Sequence, residues 1–170
     1  MFDILFCIRD QHDLNLVLLA AGVCLLSTVT AVLLLRQSRV AKGGGARNWA
    51  VIGGGVTGFG IWSTHFIAML GYDPGVVMGY KAGLTIGSLA IVVVSMVLAF
   101  LLAMRANTRT GRFGASVLAG AGFATMHYVG MAAVELPAVI QWRLPYVALS
   151  LVLAIVPFFA GLDRAVRHSG

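Results

Sequence analysis

The sequence predicts an all-α integral membrane protein, a bundle of about five transmembrane helices. Composition and pattern both indicate this class. Apolar residues make up 59% of the 170 residues, charged residues make up 11%, and the mean hydropathy is +0.93. A soluble domain carries roughly 25% charged residues, so this chain has too little polar surface to enclose a water-soluble core. The apolar residues also fall into long runs.

Five of these runs are long enough to cross a bilayer, because about 20 helical residues at ~1.5 Å each cover a ~30 Å hydrocarbon core. We predict spans at residues 14–35, 48–70, 80–104, 113–135 and 145–163. The connections between them are short and carry nearly all of the charge. Residues 1–170 are therefore predicted to form a single membrane domain.

The charged residues sort between alternate loops. The first and third loops between the predicted spans, together with the C-terminal segment, hold nine Arg and Lys residues and the single acid Asp163. The N-terminus and the second and fourth loops hold three basic residues and five acids. Short loops rich in Lys and Arg stay in the cytoplasm, so we expect the N-terminus outside and the C-terminus in the cytoplasm. This distribution accounts for the net charge of +6 without a nucleic-acid partner.

The chain also repeats itself. The segment Gly60–Met69 aligns without gaps with Gly122–Met131. We interpret the architecture as a two-helix unit used twice, followed by one further helix. Both motif helices run outward in the predicted topology, so both motifs are expected near the outer membrane face.

Within the repeat, each unit carries a histidine followed four residues later by a methionine: His65 with Met69, and His127 with Met131. This spacing places both side chains on one face of a helix. Imidazole and thioether together suit Cu(I) well, Zn less well, and Mg or Ca poorly. We therefore predict a copper site shared by the two motif helices, although histidine in a membrane helix also serves as an interhelical hydrogen bonder and methionine as a core residue.

Two further residues belong to this hypothesis. Met126 precedes His127 and points about 100° away from it, but its flexible thioether has the reach to bend toward the site. His12 lies just before the first span, at the expected depth of the motifs. Both are candidate metal ligands.

The sequence contains no arrangement typical of an enzyme. The predicted spans hold no carboxylate except at their ends, and there is no Ser-His-Asp or phosphate-loop pattern. A binding or sensing module in the bilayer is therefore expected. Three alternatives stay open: a haem protein with His65 and His127 as axial ligands, a copper-handling protein that assists assembly of a cuproenzyme, and a purely structural oligomerisation module.

These motifs resemble the signature of the MHYT domain, a bacterial integral-membrane sensor family. The resemblance rests on Met126-His127-Tyr128 within Gly122–Met131 and on the related segment Trp62–Met69. It extends over nearly the whole chain, because the segment from His12 to Arg36 resembles the first span of the family and Tyr72–Gly75 resembles the end of its first motif.

The resemblance implies a copper site at the outer face of the bacterial inner membrane and a role in sensing O2, CO or NO through that metal. Family members often precede cytoplasmic output modules, such as cyclic-di-GMP synthases and phosphodiesterases or histidine kinases, so a module of this kind is the expected partner in cis or in trans. Carried over position by position, the ligands implied by the family are His65, Met69, Met126, His127 and Met131.

The chain departs from the family pattern in two respects. Members usually have a third motif helix and six or seven spans, and we expect that helix to be absent from residues 1–170. In addition, Thr64 stands where many members have Met, and Val129 stands where the name-giving Thr would be. The close small-residue faces and the missing third repeat leave room for a homodimer that completes the bundle.

Overall fold

The computed structural model describes residues 12–73, 75–76, 78–135 and 144–167. These residues form five α-helices, which confirms the predicted all-α class and helix count. The helices are α1 (Leu14–Val40), α2 (Gly44–Leu70), α3 (Ala82–Ala103), α4 (Arg109–Ala132) and α5 (Leu144–Arg167). Two short strands, β1 (Gly79–Tyr80) and β2 (Val134–Glu135), pair antiparallel.

The helix ends differ from the predicted spans by a few residues, and local chemistry accounts for the differences. Helix α1 continues five residues past position 35, because its last turns are polar and hydropathy marks only the apolar part of a helix. Gly43 has φ 57°, a backbone conformation that glycine adopts readily, so α2 begins at Gly44 rather than at 48. The Thr108 hydroxyl accepts the Gly111 N–H at 3.1 Å, so α4 begins at Arg109 rather than at 113.

Consecutive helices pack side by side along the chain, α1 on α2, α2 on α3, α3 on α4 and α4 on α5. Glycines on α2 bring its backbone against α3: a Cβ placed on Gly54 would lie 2.5 Å from Val97 Cα, and one on Gly58 would lie 2.7 Å from Val93 Cα. Small residues allow such close approach between membrane helices. These two glycines thus bring α2 close to α3, whereas the two motif helices, α2 and α4, touch each other only over a short stretch.

The two ends of the bundle differ in character. At the motif end, defined here by β1, β2 and the bridge between His12 and Tyr72, the Asp13 N–H donates to the Gly71 carbonyl at 2.8 Å. The Lys81 N–H donates in the same way to the Ala133 carbonyl, also at 2.8 Å. At the arginine end, defined by Arg39, Arg105, Arg112 and Asp163, the Arg112 Nε donates to the Asp163 carboxylate at 2.9 Å.

The internal repeat is visible in the packing as well as in the sequence. Trp62 of α2 donates to Ser88 Oγ of α3 at 3.2 Å, and Tyr128 of α4 is hydrogen-bonded to Ser150 Oγ of α5 at 3.0 Å. Ser150 follows Ser88 by 62 residues, the same shift that separates His127 from His65. Helix α5 therefore takes the place beside α4 that α3 takes beside α2, as expected for the first helix of a third unit.

Within the described part of the chain, two helices, Leu14–Val40 and Ala82–Ala103, are long and apolar enough to cross a membrane.

Candidate metal site

The two histidines predicted to share a site are in contact. His65 of α2 and His127 of α4 have ring centroids 4.9 Å apart, with the planes inclined at 69°. Both side chains are half-buried. Helices α2 and α4 touch over a short stretch, so this pair joins the two repeat units.

One nitrogen of the pair has no hydrogen-bond partner. Among the described residues, His65 Nε2 is buried and unpaired. A buried polar atom without a partner costs roughly 1–3 kcal/mol, and such atoms are uncommon in native proteins. A ligand that His65 binds through this nitrogen would offset that cost.

Gly130 provides the space that this nitrogen occupies. A Cβ on Gly130 would lie 2.8 Å from His65 Nε2 and 3.3 Å from Cδ2. The missing side chain lets the imidazole of α2 lie against the backbone of α4. The absence of a side chain at Gly130 therefore lets His65 approach the helix that carries His127.

Aromatic rings surround the pair. Phe66 meets His65 edge-on at 5.1 Å, and Tyr128 meets His127 edge-on at 5.2 Å. Trp62 lies 4.7 Å from Phe66 and is fixed by its hydrogen bond to Ser88. These rings pack against the imidazoles and restrict their orientation.

Met69 and Met131 are half-buried and lie one helical turn from His65 and His127, nearer the motif end. Their helical spacing places each thioether on the same face as its histidine. Met126 has a different environment: it is fully buried and packs with Val92 and Met96 in a hydrophobic cluster between α3 and α4. Its packing role is evident, and its role as a ligand stays a prediction.

His12 lies at the motif end, in a surface cleft of about 600 Å³ that Asp13, Tyr72, Asp73 and Met78 also line. Its ring is 5.1 Å from that of Tyr72. The structure thus places His12 in an open cleft with carboxylates and a thioether, whereas the histidine pair lies between two helices. A metal-binding role for His12 stays a prediction.

Tyr80 was not predicted as a site residue. Its hydroxyl is buried without a hydrogen-bond partner among the described residues, and its ring lies 6.2 Å from Phe66, which contacts His65. Tyr80 also lines the cleft of His12. The structure makes Tyr80 the counterpart of His12 in the second unit, because Tyr80 pairs with Val134 as His12 pairs with Tyr72. Val134 follows Tyr72 by the 62 residues of the repeat, but Tyr80 follows His12 by 68, so the sequence spacing held no signal for Tyr80.

The donor set at the pair fits a soft metal ion. Within the residues that the structure describes, no three His, Cys, Asp or Glu side chains gather at metal-binding distance. A metal at the pair would therefore draw on two neutral imidazoles and on thioether sulfurs from the same helix faces. These donors suit Cu(I) better than the harder divalent ions.

The fold and this arrangement define a class: a helical bundle built from a repeated unit, in which the equivalent histidines of the two units meet. The chain belongs to the MHYT family, described as a bacterial signalling protein N-terminal repeat, which matches residues 58–116 and 120–170. The two matched segments begin 62 residues apart, in the register of the structural repeat. The predicted family resemblance is therefore confirmed.

Several curated proteins are similar to the chain. An uncharacterized signaling protein of Caulobacter vibrioides is 37% identical over 99% of this chain and 21% of its own length. The bifunctional diguanylate cyclase/cyclic di-GMP phosphodiesterase MucR of Pseudomonas aeruginosa is 35% identical over 93% of this chain and 23% of its own length. The cyclic di-GMP phosphodiesterase NbdA of the same organism is 36% identical over 68% of this chain and 15% of its own length.

The chain spans about a fifth of the length of the first two of these relatives. No solved structure matches it.

Proposed function

We propose that this chain is the sensory part of a bacterial signalling protein, that it spans the inner membrane, and that it binds copper between its two repeat units. His65 and His127 are the central ligands, and Met69 and Met131 complete the set. The observation that carries the proposal is the contact between the two histidines, with His65 Nε2 buried and unpaired among the described residues.

The exposure of apolar side chains supports a location in the membrane. In the most apolar 18-residue stretch of α1 only 6% of the residues are buried, and in that of α3 33% are buried. The core helix of a soluble protein is mostly buried. Large side chains such as Leu18 and Leu26 are 70% and 72% exposed. Such a surface is stable in lipid and aggregates in water. The positive-inside rule then places the motif end outside and the arginine end in the cytoplasm.

The family supports a signalling role. Two of the relatives carry names of cyclic di-GMP enzymes, and the enzymatic domains of the relatives lie outside the region that this chain covers. The chain itself would thus detect a signal and pass it to an output module of that kind. When bound, copper supplies a redox-active centre with affinity for diatomic gases such as O2, CO and NO.

The residues of the chain suggest how occupancy of the site would be transmitted. His65 and His127 belong to different repeat units, so a metal held by both fixes α2 relative to α4. Binding favours the arrangement in which the two donors converge, and it shifts the population toward that arrangement by the difference in affinity between the states. Helix α4 then carries the change to α5 through the Arg112–Asp163 ion pair at the arginine end.

Elemental analysis and an optical spectrum of the detergent-purified protein test whether the bound group is copper. We expect about one copper per chain and no Soret band. Two axial imidazoles stand on opposite faces of a haem, whereas these rings are in edge contact, so haem would require α2 and α4 to separate. A Soret band in the unaltered protein that disappears in His65→Ala would show that the histidine pair binds haem rather than copper.

The thioethers are tested by Met69→Leu combined with Met131→Leu, which keeps the side-chain volumes nearly unchanged. We expect the double variant to keep its helical circular dichroism and to lose more Cu(I) affinity than the roughly 10–100-fold that removal of a single outer partner of a metal ligand costs, because two direct donors are removed. Unchanged Cu(I) affinity would show that the methionines are packing residues.

A chimaera tests the signalling role, with this chain in place of the matching region of MucR. We expect cyclic di-GMP turnover to change when Cu(I) is added, and the His65→Ala chimaera to be unresponsive. Transfer of copper to an acceptor protein, without any change in turnover, would instead favour a copper-handling function.

A further inference from the structure

A groove lies between α3 and α4 at the arginine end, away from the histidine pair. It has a volume of about 620 Å³, within the range of roughly 300–1,000 Å³ that ligand pockets have. Its walls are formed by leucine side chains of both helices, and its mouth lies at the loop that joins them. The lining residues used below are Leu98, Leu101, Leu102, Leu118, Arg105 and Asn107.

Three other arginines at this end of the bundle are already engaged. Arg39 donates to the Ala103 carbonyl at 2.8 Å and to Asn107 Oδ1 at 3.4 Å. Arg112 pairs with Asp163 and donates from Nη1 to the Asn107 carbonyl at 3.2 Å. Arg109 lies over the ring of Phe159, 5.9 Å from its centroid.

Arg105 differs from these three. It is exposed, it lines the groove, and it has no carboxylate partner among the described residues. Arg39 and Arg112 both donate hydrogen bonds to Asn107, which restrict the loop beside Arg105. The positive charge of Arg105 thus lies at the open end of an apolar groove.

We propose that this groove binds one anionic phospholipid, with an acyl chain along the leucines and the headgroup phosphate at Arg105. The combination of a long apolar wall with one cation at its mouth is complementary to an amphiphile with a negative head. A hydrophilic anion alone would leave the leucine walls unfilled. The proposal rests on the membrane location of the chain but not on copper, so it is tested on metal-free protein.

The expected leaflet is consistent with this occupant. The arginine end is the cytoplasmic end in the proposed topology, and the cytoplasmic leaflet carries a negative surface potential from anionic lipids. A lipid bound there would sit against the loop between the two repeat units.

Native mass spectrometry of the metal-free protein in detergent, with added dioleoyl-phosphatidylglycerol, tests the proposal. We expect one tightly bound phosphatidylglycerol per chain, and weaker binding of phosphatidylcholine with the same acyl chains. Arg105→Gln should weaken phosphatidylglycerol binding about fivefold, the loss expected for one cation beside an anionic head. Arg105→Lys keeps the charge and should keep most of the affinity.

Arg36→Gln is the matched control, because Arg36 is also an exposed arginine near this end of the bundle but does not line the groove. We expect it to bind phosphatidylglycerol like the unaltered chain. Equal losses in the two glutamine variants would mean diffuse attraction to the surface and would overturn the proposal. Equal affinity for the two lipids, or displacement of the lipid by millimolar inorganic phosphate, would overturn it as well.

Discussion

Gly130 is the residue on which the approach of the two histidines depends. Gly130→Ala would place a methyl group 2.8 Å from His65 Nε2, closer than real Cβ contacts, so the imidazole must move away from α4. We expect Cu(I) affinity to fall by about 10–100-fold, as is usual when a group that orients a metal ligand is changed. Titration with a chromogenic Cu(I) competitor measures this.

Gly114→Ala on the same helix is the control for that variant. A Cβ at Gly114 meets nothing within 4 Å, so the substitution should leave copper affinity unchanged and raise stability by about 0.4–1 kcal/mol. Equal copper affinity in the two alanine variants would show that His65 Nε2 takes no part in the site.

At this scale the sequence predicted part of the site. The duplicated motif predicted that His65 and His127 would meet, because equivalent residues of two packed units occupy equivalent depths. Neither the close approach of His65 to Gly130 nor the buried hydroxyl of Tyr80 was predicted, because both depend on how the helices pack against one another. The burial of Met126 in the hydrophobic cluster depends on the same packing.

Among the helices, the contact between α2 and α3 is the one most sensitive to added volume. Gly54→Ala would place a Cβ 2.5 Å from Val97 Cα and 2.7 Å from Val97 N, and backbone atoms cannot turn aside as a side chain can. We expect the free energy of unfolding to fall by about 1–3 kcal/mol, the usual cost of overpacking. The neighbouring Gly55→Ala, with nothing within 4 Å, should not destabilise the protein. Similar losses in the two variants, measured by chemical denaturation, would contradict the close packing of α2 on α3.

The ion pair between α4 and α5 gives a second prediction for the helices. The side chains of Arg112 and Asp163 are only 11% and 16% exposed, so Asp163→Asn leaves a nearly buried guanidinium without its carboxylate partner. We expect a loss of about 3 kcal/mol in the free energy of unfolding.

Lys81→Gln is the comparison, because the pair of Lys81 with Glu135 is 3.9 Å long and more than half exposed. Its loss should cost less than about 1 kcal/mol. Equal effects of Asp163→Asn and Lys81→Gln on chemical denaturation would mean that the α4–α5 pair does not couple the two helices.

Helix number and approximate position were predictable, because an apolar run of about 20 residues is long enough to form a spanning helix and too long for a strand. The exact ends were not, since Gly43 and the Thr108 cap act through backbone conformation and hydrogen bonding rather than hydropathy. Asp163 was visible as the single acid among nine basic residues, but its partner was not, because the pair joins residues 51 positions apart.

For the whole molecule, the repeat explains the arrangement of the parts. The 62-residue shift that relates the histidines also relates Ser88 to Ser150 and the two matched segments of the family. The proposed site lies where two equivalent units meet, so its occupancy would depend on their relative position. Equivalent motifs can, however, also hold one metal each, and the two arrangements differ in stoichiometry.

The copper content of His65→Ala and His127→Ala, measured beside the unaltered protein, distinguishes these arrangements most directly. His168→Ala, outside both motifs, is the control and should retain copper. We expect about one copper per chain in the unaltered protein and almost none in either motif variant, because one site needs both histidines. Retention of half the copper in each variant would show two separate sites, and full retention, or no copper in the unaltered protein after reconstitution with Cu(I), would contradict a copper site at the histidine pair.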